Sequence, residues 1–300
     1  RRQRQMCIRD RPGIVTFGTG FQSNVGIISA LVGRHDYVIC DRENHASIYA
    51  GCQMSYGKML RYRHSDMADL ERLLQTVPCE GQRFIVTDGV FSMDGDICPL
   101  PALAALKKDY RACLIVDDAH ASGVIGRTGR GTAEYFRMAG IDVQVGTLSK
   151  AFGAEGGYIA ASREICDYLR NTSRPFIFST AISAVTGAAA LAALRLLKAD
   201  PEKYLGRLCE NTAYMRNLLT ETGVDIAAGD TPIIPVVVGD EKEAIATAEA
   251  CRKEGILLSA IRPPSVPVGT SRIRLTVTAM HTKEEMKKAA AILIRHWRSK

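Results

Sequence analysis

Two periodicities alternate along most of this chain, and that alternation limits its fold more than any single motif. Short apolar runs rich in β-branched residues recur at 14–17, 37–40, 84–87, 114–117, 143–147 and 158–161. Between them, at 23–32, 45–54, 67–75, 100–110, 163–171 and 184–198, apolar residues return every three or four positions, as on one face of a helix. Strands that read as near-continuous apolar runs are buried on both faces, which is the signature of a parallel sheet covered by helices. Pro101 sits in the first turn of its predicted helix, where its missing N–H costs nothing. After Asp200-Pro201 the texture changes to a long helix (202–222), a strand (233–238), a helix (241–254), a strand (273–277) and a closing helix (283–298). The expected fold is therefore α/β, with a mainly parallel sheet sandwiched by helices and a smaller α+β C-terminal domain. The domains are expected at 13–185 and 186–300.

Residues 1–12 stand apart. They hold five arginines and one aspartate, a net of +4 out of the chain's +7, and they lack both an amphipathic period and a signal-peptide core. They read as a non-native leader joined near Pro12. The remaining +3 is spread without an interleaved basic and aromatic stripe, which excludes nucleic acid as a partner. No apolar run spans a bilayer: the longest, 181–197, is broken by Ser183, Thr186, Gly187 and Arg195. Nine cysteines make an odd count with no CxxC pair, so they are expected to be small core residues of a reducing, cytoplasmic protein. The six histidines show no metal-ligand spacing, and no metal is expected.

Polar residues collect where the large-domain strands end: Asp88 and Ser92, Asp117 and His120, Thr147 and Lys150. In open parallel sheets, ligands bind outside the carboxyl ends of strands. Asp117 closes a buried-looking strand, where a carboxylate is costly unless a cation or hydrogen bonds pair it. A protonated pyridine nitrogen is one such partner, and a turn-capping role is another. Lys150, in Gly146-Thr147-Leu148-Ser149-Lys150, has small and apolar neighbours that favour a free amine able to form a Schiff base; an ordinary surface lysine has the same local sequence. Gly18-Thr19-Gly20-Phe21-Gln22-Ser23-Asn24 turns from a strand into a helix whose first amides suit a phosphate or simply a cap. Neither a GxxxxGK[ST] nor a GxGxxG pattern occurs, which removes the main support for a nucleotide-binding enzyme.

In order and spacing these strings resemble the α-oxoamine synthases, a branch of the fold-type-I enzymes that use pyridoxal 5′-phosphate (PLP). The resemblance covers about residues 13–298 and adds Asp41-Arg42-Glu43-Asn44-His45-Ala46-Ser47, Asp88-Gly89-Val90-Phe91-Ser92-Met93-Asp94-Gly95-Asp96, Phe178-Ser179-Thr180 and Ile261-Arg262-Pro263-Pro264. It implies that Lys150 carries PLP as a Schiff base, Asp117 pairs with the ring nitrogen, and His120 and Ser92 approach the ring hydroxyl. His45 stacks on the ring. The Gly20 and Phe21 amides and Thr147 hold the phosphate, with Thr180 arriving from the other subunit of a homodimer whose active sites lie at the interface. Arg274 binds the substrate carboxylate, with help from Arg262. The implied reaction is a decarboxylative condensation of an amino acid with an acyl thioester, on CoA or on an acyl carrier protein.

Within the family, 260–267 looks most like the biotin-pathway member, which joins L-alanine to a pimeloyl thioester. Glycine with acetyl-CoA and serine with palmitoyl-CoA are the alternatives, and a non-catalytic binding paralogue is a further one. Two departures stand out. Asp88 takes the place of a glutamate common in relatives. The family's chains also extend upstream of Gly18, so the large domain is expected to be truncated at its start.

Overall fold

The computed structural model describes residues 13–78 and 80–297; the expected leader lies outside them, as do Cys7 and Cys79. In chain order the first unit contains β1 (Gly13–Phe17), α1 (Gly20–Leu31), β2 (Tyr37–Asp41), α2 (Ala46–Met54), β3 (Lys58–Tyr62), α3 (Met67–Thr76), β4 (Arg83–Asp88), α4 (Leu100–Asp109), β5 (Cys113–Asp117) and α5 (Thr132–Tyr135). It continues through β6 (Val143–Thr147), β7 (Gly157–Ala161), α6 (Arg163–Thr172), α7 (Arg174–Ile177) and α8 (Ala184–Ala199). One seven-stranded sheet runs in the order β1-β7-β6-β5-β4-β2-β3. Strands β3, β2, β4, β5 and β6 are parallel neighbours. Strand β7 runs antiparallel to both β6 and β1, so β1 points the same way as β6.

The alternation of side chains along each strand divides the apolar set between two faces. Val38, Cys40, Phe84, Val86, Ile115, Val143 and Val145 pack under Ile27 and Ile28 of α1, Ile48 and Cys52 of α2, and Cys166 and Leu169 of α6. Their neighbours Ile39, Ile85, Leu114 and Val116 turn the other way, onto Leu70 and Leu74 of α3 and Leu100 and Leu103 of α4. Each fully buried side chain of this kind contributes roughly 1.5–3 kcal/mol. Helices cover both faces, as the apolar runs require.

Residues 92–96 and 201–300 form the second compact unit. It holds a π-helical turn at Glu202–Gly206, α9 (Arg207–Glu221), β8 (Ile233–Gly239), α10 (Glu241–Lys253), β9 (Ser259–Ile261), β10 (Ser271–Thr276) and α11 (Lys283–His296). Its antiparallel sheet, β8-β10-β9, buries Ile234, Val236, Ile273 and Leu275 against Met215 and Leu219 of α9, Cys251 of α10, and Met286 and Leu293 of α11. The units divide after Asp200 rather than after residue 185. The reason is α8, whose Ala190 and Leu194 pack with Ile14, Leu148, Phe152 and Tyr158 of the first unit. No helix among the described residues is long and apolar enough to cross a membrane.

Candidate active site

Because β1, β2, β4, β5 and β6 share one direction, their carboxyl ends share one edge of the sheet. That edge carries Gly20 just past β1, His45 just past β2, Asp88 and Asp117 as the last residues of β4 and β5, and Thr147 and Lys150 at and after the end of β6. Asp88 and Asp117 are register partners on adjacent strands. Both are buried, at 5% and 4% exposure. Two carboxyls so placed do not both ionise readily. Burial first, and the charge of Asp117 second, push the Asp88 carboxyl well above the usual range. Its Oδ2 accepts the His45 backbone N–H at 2.7 Å. Asp117 accepts N–H groups through both oxygens, from Ala119 at 2.9 Å and from Asn24 Nδ2 at 2.6 Å. Asp118, the next residue, serves structure instead: it is fully buried and takes the hydroxyl and N–H of Thr132 and the amide of Gln144.

His45 caps α2 through its ring, with Nδ1 accepting the Ser47 N–H at 3.2 Å and lying 2.7 Å from Ser47 Oγ. Desolvation, and to a lesser degree the charge of Lys150, lower the imidazole pKa, while Asp117 opposes them. His120 is half-buried in the turn after β5. Lys150 is exposed in the loop between β6 and β7, where its carbonyl accepts the Gly153 N–H at 3.1 Å.

The Thr19 hydroxyl caps α1, accepting the Gln22 N–H at 3.1 Å, which leaves the Gly20 and Phe21 amides at the positive end of the helix. A Cβ on Gly20 would come within 3.1 Å of Thr147 Cβ and Oγ1, a tight approach where α1 starts against the end of β6. Thr147 Oγ1 lies 2.8 Å from Ser149 Oγ and 3.1 Å from the Gly156 carbonyl oxygen, and accepts the Ser149 N–H at 3.3 Å. Thr180 is exposed, and its neighbour Ser179 accepts from Gln22 of α1 at 3.3 Å.

Three expected residues belong to the second unit: Ser92, Arg262 and Arg274. Arg274 is half-buried, donates from Nη1 to the Ser92 carbonyl at 2.9 Å, keeps a buried Nε without a partner, and has its pKa lowered by desolvation. Arg262 is exposed and pairs with Glu241 at 3.1 Å. Arg272 is instead held by Asp94. Among the described residues no cluster of three or more metal-ligating side chains occurs. The sequence reading missed Asn24 and Ser47; their signals were a buried amide on the inner face of α1 and a serine two residues after a capping histidine.

Comparison with known proteins places the chain. The profile of aminotransferase class I and II matches residues 4–293. An 8-amino-7-oxononanoate synthase of Geobacter sulfurreducens is 48% identical over 283 residues, 94% of this chain and 72% of the relative. The serine palmitoyltransferase of S. paucimobilis, solved with a bound PLP–myriocin aldimine, superposes with a TM-score of 0.93 at 32% identity, covering 98% of this chain and 75% of that one. The 8-amino-7-oxononanoate synthase of Francisella tularensis gives a TM-score of 0.83 at 29% identity, covering 95% and 82%. The chain belongs to the aminotransferase class I and II family. Within that family it is an α-oxoamine synthase, with the fold-type-I architecture that the sequence predicts.

Proposed function

We propose that this chain condenses L-alanine with a pimeloyl thioester, with loss of CO₂, to give 8-amino-7-oxononanoate in biotin biosynthesis. The observation that carries the reading is the shared edge: a buried carboxylate on β5, a lysine just past the adjacent strand β6, and a glycine-initiated helix start against that same strand. These residues fit PLP. The Gly20 and Phe21 amides with Thr147 suit its phosphate. Asp117 is a buried acidic side chain whose two hydrogen bonds among the described residues come from neutral donors, so a protonated ring nitrogen would suit it. When bound, PLP supplies an electron sink for negative charge at the amino acid's Cα.

The residues divide the rest of the work. Lys150 Nζ would hold the cofactor covalently and, when freed by the substrate amine, would serve as the base for the Cα proton. Asp117 would pair with the protonated ring nitrogen, and His45 would lie against the ring. His120 and Ser92 would serve the ring hydroxyl. Arg274, with no acidic partner among the described residues, has guanidinium donors to give a substrate carboxylate. Arg262 is tied to Glu241 and so assists less. The Cα of alanine would form a bond to the thioester carbonyl carbon as the C–S bond breaks and the thiolate leaves, taking a proton to become the thiol; the carboxylate would depart as CO₂, and the electron pair it leaves at Cα would take a proton back from the Lys150 ammonium.

The enzyme acts as a cytoplasmic homodimer in which Thr180 reaches the partner's phosphate site. Supporting this, Phe21, Ile177, Phe178 and Val185, near Thr180 in sequence or at the start of α1, stand 51%, 44%, 77% and 80% exposed. The test is a substrate panel on the PLP-loaded protein: L-alanine, glycine and L-serine, each with pimeloyl, acetyl and palmitoyl thioesters on CoA and carrier protein. L-alanine with the pimeloyl thioester is expected to give the highest kcat/KM. Preference for glycine with acetyl-CoA, or serine with palmitoyl-CoA, overturns the assignment.

A further inference from the structure

A series of hydrogen bonds joins Asp117 to His45 through two residues the reaction itself does not use. Asn24 Nδ2 lies 2.6 Å from Asp117 Oδ2 and 2.8 Å from Ser47 Oγ, and Ser47 Oγ lies 2.7 Å from His45 Nδ1. Asn24 and Ser47 are each about 1% exposed, so water does not compete for these bonds. Donor and acceptor chemistry fixes the direction of every proton in the series. A carboxylate only accepts. Turning the Asn24 amide over would set its carbonyl against that carboxylate, so the nitrogen faces Asp117, and Asn24 Oδ1 is left buried without a partner. The amide nitrogen only donates, giving one hydrogen to Asp117 and the other to Ser47 Oγ. Ser47 has a single hydroxyl hydrogen, and the remaining neighbour of its oxygen is His45 Nδ1. The Ser47 backbone N–H converges on that same nitrogen at 3.2 Å. A ring nitrogen that accepts carries no proton.

We propose that Asn24 and Ser47 are positioning residues that fix His45 as the neutral Nε2–H tautomer, in a series whose direction is set by the Asp117 carboxylate. This rests on the PLP reading only for its purpose, since a neutral ring can lie on a pyridinium face without charge repulsion. The surrounding groups agree with the geometry. Burial first, then Lys150 and the start of α2, disfavour an imidazolium; Asp117 favours one, and Asp88 meets His45 at its backbone N–H.

The experiment is NMR of the full chain with ¹⁵N-labelled imidazoles, with and without PLP. His45 Nδ1 is expected to resonate as an unprotonated, pyridine-type nitrogen at neutral pH and Nε2 as a protonated one. Ser47→Ala removes a donor to the neutral form, so the His45 titration midpoint should move up, while Ser47→Thr should hold it in place. Asn24→Asp should move it further, because a carboxylate there draws the Ser47 proton away from the ring. A protonated Nδ1 in the unaltered chain overturns the proposal, as does an unchanged midpoint in a folded Ser47→Ala. If Ser47→Ala does not fold, the tautomer of the unaltered chain decides. If the tautomer is as stated but PLP does not bind, the functional reading falls and this one stands.

Discussion

Gly157, the first residue of β7, offers the sharpest mechanical test of the phosphate site. A Cβ at this buried position lies 2.3 Å from Ser23 Oγ, 2.6 Å from the Thr19 carbonyl oxygen and 2.7 Å from Gly20 Cα. The serine hydroxyl can rotate away, but the other two atoms are backbone. Restoring ordinary contact at 3.4 Å moves the first turn of α1 by roughly 0.7–0.8 Å. Overpacking of this kind costs about 1–3 kcal/mol. A displacement near 1 Å of a positioning element lowers turnover on the order of 10²-fold. Gly157→Ala should therefore unfold at lower denaturant concentration and bind PLP more weakly, measured by urea titration of the cofactor-free protein and by equilibrium dialysis. Gly187→Ala is the control: its Cβ meets nothing within 4 Å inside α8, so it should gain about 0.5–1 kcal/mol and keep its PLP affinity. A Gly157→Ala protein that binds PLP as tightly as the unaltered chain would show that the α1 start is not the phosphate cradle.

Asp88 gives a pH test. Its carboxyl pKa is raised in the fold above the unfolded value, so its contribution to stability is complete below the unfolded carboxylate pKa and is lost as pH rises toward the raised folded value. Asp88→Asn should gain on the unaltered chain as pH rises from about 4, by at most about 1.4 kcal/mol per pH unit for one proton; parallel stability curves would refute this. Thiol chemistry should be selective among the described cysteines. Cys209 is exposed, whereas burial pushes Cys113 up to about 12, and the hydrogen bond with Cys52 and then burial push Cys40 up as well. Alkylation mapped by mass spectrometry should find Cys209 modified first, and early modification of Cys40 or Cys52 would contradict the packing around them.

The long buried strands were legible because their apolar runs follow from burial on both faces. Strand β3 was not: it is an edge strand carrying Lys58 and Arg61 on exposed positions, so it has no apolar run to read. Strand β9 is three residues long and ends before Arg262-Pro263-Pro264, where two prolines dominate the local sequence. The predicted helix 202–222 begins as a π-helical turn before α9, a change of hydrogen-bond step that periodicity cannot reveal at this length. The antiparallel setting of β7 was equally hidden, although the short span between β6 and β7, with Lys150 in it, excludes a helical crossover. Lys150 and Asp117 could be picked out as strand-end residues and Gly20 from the strand-to-helix turn, whereas the role of His45 came only with the family resemblance. Asn24 and Ser47 could not, because their importance lies in which atoms they face across a span of 93 residues, from α1 to the end of β5.

Lys150 is the residue on which cofactor attachment depends. The protein mixed with PLP should acquire the visible absorption of lysine-bound pyridoxal, and Lys150→Ala, equally folded by circular dichroism, should lack that band while the free cofactor's spectrum remains. A Lys150→Ala protein that keeps the band, or an unaltered protein that leaves the spectrum of added PLP unchanged, would contradict the account at its centre.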